Sequence, residues 1–378
     1  MTQQQVSKQF QEKHQQQPLL VFSPGRLNII GEHTDYNQGF VFPAAISKGI
    51  YAAFGPADSS KCKVTAIDMK ESFEFSLEQL SPLPGGGWRN YILGVVHGVV
   101  QAGKKPGPFH LVFGGDIPGG AGLSSSAALE NAVVYGLNEL YQLGLSKNEM
   151  INISQKAEHD FVGVKCGIMD QFASMFGQKD KALLLDCRTE TAKTFPVELG
   201  AYQLLLINTK VKHSLADSAY NKRRQACENV ATALGVSALR DADLKALAQI
   251  KNRITEEDYQ MASYVIQENE RVQLAGRAMA QNDIAALGRL LYASHQGLQH
   301  QYKVSCPELD FLVDLAQTDP AIAGARMMGG GFGGCTINII KKTAVANFSE
   351  KVRSAYFDRF GIQCALYEVS VSKGTHLI

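Results

Sequence analysis

Short apolar runs bounded by glycine, proline or polar residues alternate along the chain with longer stretches of helical spacing. The apolar runs predict buried strands, at residues 19–22, 110–113, 182–186, 202–208 and 336–340. Apolar side chains recur at helical spacing from Leu129 to Tyr141, and residues 91–100 are mostly apolar, so both segments predict helices. Helical patterns without an internal repeat dominate residues 227–318. The pattern as a whole predicts a chain of mixed α and β elements.

A glycine-rich turn connects the strand at 110–113 to the helix that ends at Tyr141. Residues 118–129 read PGGAGLSSSAAL. Unpaired N–H groups at a helix N-terminus favour negative charge, and glycines let backbone amides approach a polyanion closely. The turn therefore predicts a cradle for nucleotide phosphates, with a serine-capped helix after a flexible loop as the alternative. It is not a Walker A loop, because no Gly-Lys-Ser/Thr follows, so another residue or Mg²⁺ must neutralise the phosphates.

A second segment is crowded with polar side chains. Residues 26–37 read RLNIIGEHTDYN and lie between two apolar segments. Each sugar hydroxyl needs a donor and an acceptor, and this set of side chains offers both. The loop predicts a sugar site, with a solvated surface loop as the alternative. Glu32 and His33 are adjacent and point apart, and no second histidine is near, which argues against a metal here.

Asp170 stands in an apolar setting, flanked by Ile168, Met169 and Phe172. A carboxylate in such surroundings must find a partner or shift its pKa. One interpretation is an ordinary cap or buried hydrogen-bond acceptor. The other is a base, or an orienting acceptor, for a hydroxyl nucleophile.

A third glycine-rich segment, MMGGGFGGC at residues 327–335, formally contains G-x-G-x-x-G at Gly329, Gly331 and Gly334. A strand is predicted after these glycines, whereas a dinucleotide-binding turn would open a helix. The segment instead predicts a tight loop that approaches a ligand or the facing domain.

Composition narrows the class of protein. The chain has 378 residues, 45% hydrophobic and 19% charged, with a net charge of +1. The length predicts two domains, and the charge balance gives no reason to expect nucleic acid or an acidic membrane. Seven scattered cysteines without a C-x-x-C pair predict reduced thiols in the cytoplasm. No apolar run could span a bilayer, and the first 17 residues, with eight glutamines, predict a polar lead-in and not a signal peptide.

Taken together, the three motifs resemble those of the GHMP kinases, and within them the galactokinase family. Residues 24–37 are similar to the galactokinase signature, 119–128 to the second family motif and 328–334 to the third. The first motif, and a segment containing His213, Tyr220, Arg223 and Arg224, are specific to galactokinases and close relatives. Within that segment Ser214 is predicted to cap a helix. The similarity is collinear from about Phe22 to the C-terminus.

The resemblance implies an α+β two-domain GHMP kinase fold. Its N-terminal α/β domain has a left-handed βαβ crossover, its C-terminal domain is α+β, and the active site lies in the cleft between them. We expect a lead-in at residues 1–17, the N-terminal domain at 18–190 and the C-terminal domain at 191–378.

The resemblance also implies roles for single residues. Asp170 would take or orient the proton of the sugar's anomeric hydroxyl, and Arg26 would pair with Asp170 and stabilise the moving phosphoryl group. The sugar hydroxyls would be held by Glu32, His33, Thr34, Asp35, Gly167, Asp170 and Tyr220. The nucleotide would be bound by Asp68, Trp88, Gly120, Ala121, Gly122, Leu123, Ser124, Ser125 and Ser126. Mg²⁺ would be held by Ser126 and Glu158.

The activity implied is ATP-dependent phosphorylation of the anomeric hydroxyl of α-D-galactose, the entry step of galactose catabolism. Two alternatives stay open: a kinase for N-acetylgalactosamine, and a non-catalytic sensor of galactose and ATP. The chain is expected to be a cytoplasmic monomer that binds galactose and MgATP, and neither nucleic acid nor a membrane.

Overall fold

The computed structural model describes residues 1–212 and 216–378, with the backbone alone at 212 and at 216–219. The motif residue His213 and the predicted cap Ser214 lie outside the described residues. The strands, in chain order, are β1 (Leu19–Asn28), β2 (Phe40–Val41), β3 (Pro43–Pro56), β4 (Lys61–Ala66), β5 (Glu71–Ser76), β6 (Phe109–Gly115), β7 (Lys181–Asp186), β8 (Thr191–Pro196), β9 (Tyr202–Lys212), β10 (Ile322–Met328), β11 (Gly333–Lys341), β12 (Ala365–Glu368) and β13 (His376–Leu377).

The α-helices are α1 (Gln3–His14), α2 (Trp88–Gln101), α3 (Ser125–Tyr141), α4 (Lys147–Ala157), α5 (Met169–Phe176), α6 (Ala216–Leu234), α7 (Leu244–Gln249), α8 (Glu256–Ala280), α9 (Ile284–Gln296), α10 (Pro307–Gln317) and α11 (Val345–Phe360). Every strand and helix predicted from the apolar pattern is present, most with an extra turn or a few extra residues. The predicted helical region at 227–318 is confirmed by α6 to α10.

The larger sheet has the strand order β13-β1-β3-β6-β4-β5. All of its pairs are antiparallel except β4 and β6, which are parallel and are connected through β5 and α2. Parallel strands need such a crossover because the chain must return to the same end of the sheet. One face, with Phe54, Leu111 and Phe113, packs on α2, α3 and α5 in a common hydrophobic core. The family resemblance implies a crossover in this domain. That the crossover is left-handed stays a prediction.

The opposite face of the larger sheet binds α1. Val6 and Phe10 of this helix are fully buried against Ala53 and Val112 of the sheet. Their spacing of four places both on one face of the helix. The segment predicted as a polar lead-in is therefore an amphipathic helix that packs on the sheet.

The second sheet, β10-β11-β9-β12, is wholly antiparallel. Leu205 and Ile207 of β9 face α10 and α11, while Leu204 and Leu206 face α8 and α9. The core on the α8 and α9 side also contains Leu27 of β1. A continuous core therefore connects the two halves of the chain, and the polar loop that follows β1 lies where the halves meet.

The ends of the two predicted domains are interleaved. The predicted boundary near residue 190 falls in the turn between β7 and β8, which pair with each other. At the other end, β13 pairs with β1, so the last residues belong to the larger sheet. The division at residue 190 stays a prediction. Across the described ranges, no helix is both long and apolar enough to traverse a membrane.

Candidate active site

The end of β1, where the polar segment of residues 26–37 begins, is in direct contact with the glycine-rich loop before α3. The backbone N–H of Arg26 donates to the carbonyl of Leu123 at 3.1 Å. A Cβ at Gly25 would lie 2.5 Å from that carbonyl oxygen, so glycine is required for this approach. The contact fixes Arg26 beside the loop that was predicted to hold phosphates.

Arg26 forms a two-point ion pair with Asp170, in the first turn of α5. The distances are 2.7 Å from Nε to Oδ1 and 2.8 Å from Nη2 to Oδ2. Nη1 of Arg26 donates to the carbonyl of Gly122 at 2.6 Å. The Arg26 side chain is 5% exposed and that of Asp170 is 29% exposed. Asp170 thus has the partner that its apolar neighbours require, and it remains accessible from one side.

The charge of Arg26 is maintained by the carboxylates around it. Burial lowers the pKa of Arg26, but the charges of Asp170, Glu32 and Asp35 outweigh that effect and leave the pKa raised. The guanidinium is therefore a permanent positive charge beside Asp170.

Ser124 contacts Asp170 and does not cap α3. Its hydroxyl donates to Oδ2 of Asp170, and its backbone is left-handed, with φ of 57°. No side-chain capping bond forms at the start of α3. The alternative of a serine-capped helix is therefore wrong for Ser124. The N–H groups in the first turn of α3 keep their capacity to bind an anion.

A cavity of about 350 Å³ lies between the two glycine-rich loops. Residues 120–126 form one wall and residues 328–334 form the other. The loops approach so closely that a Cβ at Gly329 would lie 3.5 Å from the carbonyl oxygen of Gly122. Strand β11 follows the third motif, as predicted, so the dinucleotide-binding interpretation is excluded. We call this space the glycine-loop cavity.

A second cavity, of about 220 Å³, lies beside the polar loop, and we call it the polar-loop cavity. Its lining includes Glu32, His33, Asp35, Gly167 and Tyr220, all expected at the sugar. Both cavities are lined by Arg26, Ser126, Val164, Asp170, Tyr220, Gly329 and Gly330. A ligand in one cavity would therefore meet a ligand in the other at the Arg26–Asp170 pair.

Asp35 is a strongly perturbed carboxylate of the polar-loop cavity. Burial, and next the charge of Asp170, raise the pKa of Asp35 to about 7. A Cβ at position 167 would overlap the Asp35 carboxylate, so Gly167 makes room for it. Near neutral pH this carboxyl group can therefore either donate a hydrogen bond to a hydroxyl or accept one.

Arg326 is a functional candidate that the interpretation of the sequence missed. It is fully buried and donates to the carbonyls of Asn28 and Ile29. It also donates to Oε1 of Glu32 at 3.1 Å, and the same oxygen accepts the N–H of Gly329 at 2.8 Å. Arg326 thus ties the polar loop to the third glycine-rich loop. The available signal was a cation within the otherwise apolar strand β10.

Ser126 and Glu158 bring a hydroxyl and a carboxylate to the polar-loop cavity. Ser126 is in the first turn of α3, and Glu158, 6% exposed, begins the π-helical turn Glu158–Val162. In the part of the chain that the structure describes, no group of three or more His, Cys, Asp or Glu side chains could hold a metal. One carboxylate and one hydroxyl suit Mg²⁺, which takes its other oxygens from water and from substrate phosphates. The donor set therefore fits a metal that arrives with a nucleotide.

Thr34 and Asp68, both expected at the site, line neither cavity. Thr34 is fully buried, and its single hydroxyl proton is shared between the carbonyl of Phe40, at 2.6 Å, and that of Gly31, at 2.9 Å. It therefore shapes the polar loop from within. Asp68 accepts the N–H of Gly115 at 2.7 Å, at the end of β6.

Trp88 also lies outside both cavities. It is 7% exposed, its indole N–H donates to Glu71 at 2.8 Å, and its ring packs 5.4 Å from that of Phe113. Through these contacts Trp88, the first residue of α2, packs against the larger sheet. Its place beside a bound base, like that of Asp68, stays a prediction.

Three family profiles match the chain. "GHMP kinases N terminal domain" matches residues 90–178 and "GHMP kinases C terminal" matches residues 277–358. "Galactokinase galactose-binding signature" matches residues 8–56, which include the polar loop. The matches cover all three motifs, and together with the fold they define the class of this chain as a GHMP kinase.

Curated relatives narrow the class. The chain is 42% identical to the galactokinase of Thermotoga neapolitana over 361 residues, 95% of this chain and 99% of that protein. It is 40% identical to the galactokinase of Thermosipho africanus, over 94% of this chain and 98% of that protein. The chain belongs to the galactokinase family.

Solved structures agree with this placement. The structure of Lactococcus lactis galactokinase complexed with galactose matches with a TM-score of 0.94 at 33% identity, covering 99% of both chains. Methanococcus jannaschii mevalonate kinase matches with a TM-score of 0.68 at 15% identity, over 94% of this chain and 99% of that one, which shows a common fold. The predicted α+β GHMP kinase fold, and the prediction of an enzyme of this family, are confirmed.

Proposed function

We propose that this chain transfers the γ-phosphoryl group of ATP to the anomeric hydroxyl of α-D-galactose, giving α-D-galactose 1-phosphate and ADP. The observation that carries the proposal is the position of the Arg26–Asp170 pair, where the glycine-loop and polar-loop cavities meet. The galactose complex of the Lactococcus lactis relative supports the choice of sugar. The reaction would be the entry step of galactose catabolism in the cytoplasm.

The sugar occupies the polar-loop cavity. Carboxylate, imidazole and phenol groups there supply both donors and acceptors, as the hydroxyls of a hexose require. The residues that hold the sugar are Glu32, His33, Asp35, Gly167 and Tyr220. Thr34 contributes indirectly, since its hydroxyl fixes the backbone of the polar loop.

The triphosphate occupies the glycine-loop cavity. Backbone N–H groups of residues 120–126 and the N-terminus of α3 bind its oxygens. Mg²⁺ bound at Ser126 and Glu158 would neutralise phosphate charge when it is present. Together with Arg26 it takes the place of the lysine that a Walker A loop would supply.

The chemical step needs a nucleophile oriented beside the γ-phosphate. Asp170 accepts the proton of the anomeric hydroxyl, or aligns it, while the oxygen forms its bond to phosphorus and the bond to ADP breaks. Arg26 and the Ser124 hydroxyl hold both oxygens of the Asp170 carboxylate, which fixes its direction. The guanidinium of Arg26 also stabilises the charge that develops on the moving phosphoryl group.

ADP release in a coupled assay tests the proposal. With MgATP, galactose should give steady ADP release, and the reaction without sugar should give only a background. Preference for N-acetylgalactosamine over galactose would overturn the choice of sugar. Binding of galactose and ATP without ADP release would indicate a sensor, although Arg26, Asp170 and the three serines of the loop are all present.

A further inference from the structure

A chain of hydrogen bonds leads from the polar-loop cavity into the interior of the C-terminal half. Nδ1 of His33 lies 2.7 Å from the hydroxyl of Tyr36, which lies 2.7 Å from the hydroxyl of Tyr302. The Tyr302 hydroxyl in turn lies 3.3 Å from Sγ of Cys227. His33, Tyr302 and Cys227 are buried and Tyr36 is half-buried. Water therefore has little access to these groups, and they form hydrogen bonds with one another and, for Cys227, also with Asn37.

The His33 ring is held in place on several sides. Its centroid lies 4.9 Å from that of Tyr302 and 5.3 Å from that of Tyr220. The backbone of His33 is left-handed, with φ of 63°, and Asn37 Nδ2 donates to its carbonyl at 2.9 Å. A left-handed backbone is uncommon in residues other than glycine, and here the hydrogen bond from Asn37 supports it. The geometry fixes the direction of the imidazole as well as its position.

Three of these four groups do not line the polar-loop cavity. His33 lines it, but Tyr36, Tyr302 and Cys227 do not. Nε2 of His33 is buried and has no hydrogen-bond partner among the described residues, and the backbone of Gly330 lies near the ring. The tyrosines can therefore act on a bound sugar only through His33, which lines the cavity.

The acidity of these four groups indicates which of them donates in each hydrogen bond of the series. Burial lowers the pKa of His33 to about 3, so the imidazole is neutral and carries its proton on one nitrogen. A phenol is a far stronger acid than a neutral imidazole N–H, which favours Tyr36 as the donor and Nδ1 as the acceptor. Burial raises the pKa of Cys227 to about 11, so the thiol stays protonated and can donate to Tyr302. With the opposite polarity, Tyr302 would donate to sulfur; because a thiol is both a weak donor and a weak acceptor, the contact between the Tyr36 phenol and the imidazole decides the polarity.

We propose that Tyr36 and Tyr302 are positioning residues that hold His33 as the Nε2–H tautomer, so that His33 is a hydrogen-bond donor to the sugar. The tautomer is a property of the unliganded protein, whereas its use in donating to a sugar hydroxyl rests on the proposed function. In this arrangement the polar-loop cavity has one neutral donor of fixed direction beside the acceptors Glu32 and Asp35.

The first test is ¹⁵N NMR of the imidazoles in the full-length, unliganded protein. The chain has nine histidines, and a His33→Gln variant identifies the signals of His33 by their loss. We expect an unprotonated Nδ1 and a protonated Nε2, unchanged from pH 6 to pH 8. A protonated Nδ1 of His33 in the unmodified protein would overturn the proposal, and the variant serves only to assign the signals.

The second test separates positioning from packing. Tyr36→Phe removes the donor to Nδ1, and we expect both tautomers in the NMR spectrum. The KM for galactose should rise about tenfold while kcat and the KM for ATP change less than about threefold, because a binding contact is weakened. Tyr302→Phe should give the same pattern to a smaller extent. An unchanged tautomer together with an unchanged KM in Tyr36→Phe would contradict the proposal.

Tyr356→Phe is the matched control. Tyr356 is fully buried and its hydroxyl donates to the carbonyl of Thr209 at 2.9 Å, away from both cavities. This variant should lose stability as a buried tyrosine does, with the tautomer and the KM for galactose unchanged. A changed His33 tautomer in this control would mean that packing and not the hydrogen-bond chain sets it, which overturns the proposal.

The two possible failures are distinguishable. If galactose gives no ADP release but His33 is the Nε2–H tautomer, the proposed function fails. The assigned direction of the hydrogen bonds, from Tyr36 to Nδ1 of His33, then still stands. If ADP is released but His33 is the Nδ1–H tautomer, the present inference fails and the proposed function stands.

Discussion

The two cavities of the site differ in the groups that line them. Ionisable and aromatic side chains line the polar-loop cavity, whereas glycines and serines predominate in the glycine-loop cavity. A hexose differs from its isomers in the direction of single hydroxyls, which side chains can distinguish. A triphosphate carries much the same charge on every phosphate, and backbone N–H groups suit it. This difference indicates that separate parts of the chain discriminate the sugar and bind the phosphates.

The two cavities also differ in what they require of the fold. The polar-loop cavity needs buried polar groups, such as Glu32, whose contact with the fully buried Arg326 spans 294 positions of sequence. Removal of one partner of such a pair is strongly destabilising, because it leaves a buried charge without compensation. The glycine-loop cavity needs close backbone contact, as between Gly122 and Gly329. Changes at side chains should therefore affect the sugar, and changes that add atoms to the loops should affect the nucleotide.

The largest effect is expected where the cavities meet. Asp170→Asn should lower kcat at least about 10³-fold, because an amide cannot take up the proton of the hydroxyl. Galactose binding, measured by calorimetry, should survive, since the amide keeps the shape of the carboxylate. Asp358→Asn, at an exposed carboxylate of α11, is the control and should retain the parent's turnover. Near-normal activity of Asp170→Asn would refute the role assigned to Asp170.

Arg26→Ala should lower kcat by at least about 10²-fold, as expected for lost stabilisation of transition-state charge. Arg26→Lys should restore part of this loss, because it keeps the charge but not the two-point contact with Asp170. Steady-state kinetics of both variants with galactose and ATP measure the effect. A rise in the KM for galactose at unchanged kcat would show that Arg26 only binds the sugar.

Gly167→Ala tests whether the two cavities act independently. The added Cβ would overlap the Asp35 carboxylate, so Asp35 must move. We expect the KM for galactose to rise about tenfold and the KM for ATP to change less than about threefold. The KM for ATP is the internal control, and an equal rise in both constants would mean that the cavities do not act separately.

The smallest effect is on stability, through Asp35. Because the pKa of Asp35 is raised to about 7 from its ordinary value near 4, the folded protein binds more protons than the unfolded chain between those values. The free energy of unfolding therefore loses this contribution as pH rises from about 4 to about 7, and the loss is complete above pH 7.

Asp35→Asn removes this titration and should be the more stable protein at pH 8 by about 1–2 kcal/mol, with a smaller difference at pH 5. Urea unfolding of both proteins at the two pH values measures it. The variant should also bind galactose more weakly. A variant less stable than the parent at pH 8 would contradict the pKa assigned to Asp35.

Local features of the fold and site could be predicted from the sequence. The apolar runs predicted the strands because the length and the apolar character of each run are local properties of sequence. The polar loop and the glycine-serine loop could be recognised because each gathers its chemistry within about a dozen residues. Only the family resemblance implied that the two loops meet at the Arg26–Asp170 pair. These two residues are 144 positions apart, so no local pattern could connect them.

Contacts between distant segments could not be predicted. Nothing in the local pattern near His376 indicates pairing with β1. A helix was one interpretation of the glutamine-rich lead-in, but nothing in that segment indicates that it docks on a sheet. Tyr302 was missed for the same reason, because its hydroxyl acts on a residue 266 positions away and tyrosine is common in cores.

The central claim is that sugar and nucleotide meet at the Arg26–Asp170 pair. A crystal structure with galactose and a non-hydrolysable ATP analogue tests it most directly. We predict the anomeric oxygen within about 3.2 Å of the Asp170 carboxylate and the γ-phosphate between Arg26 and residues 120–126. A complex in which the sugar or the terminal phosphate binds away from this pair would contradict the account.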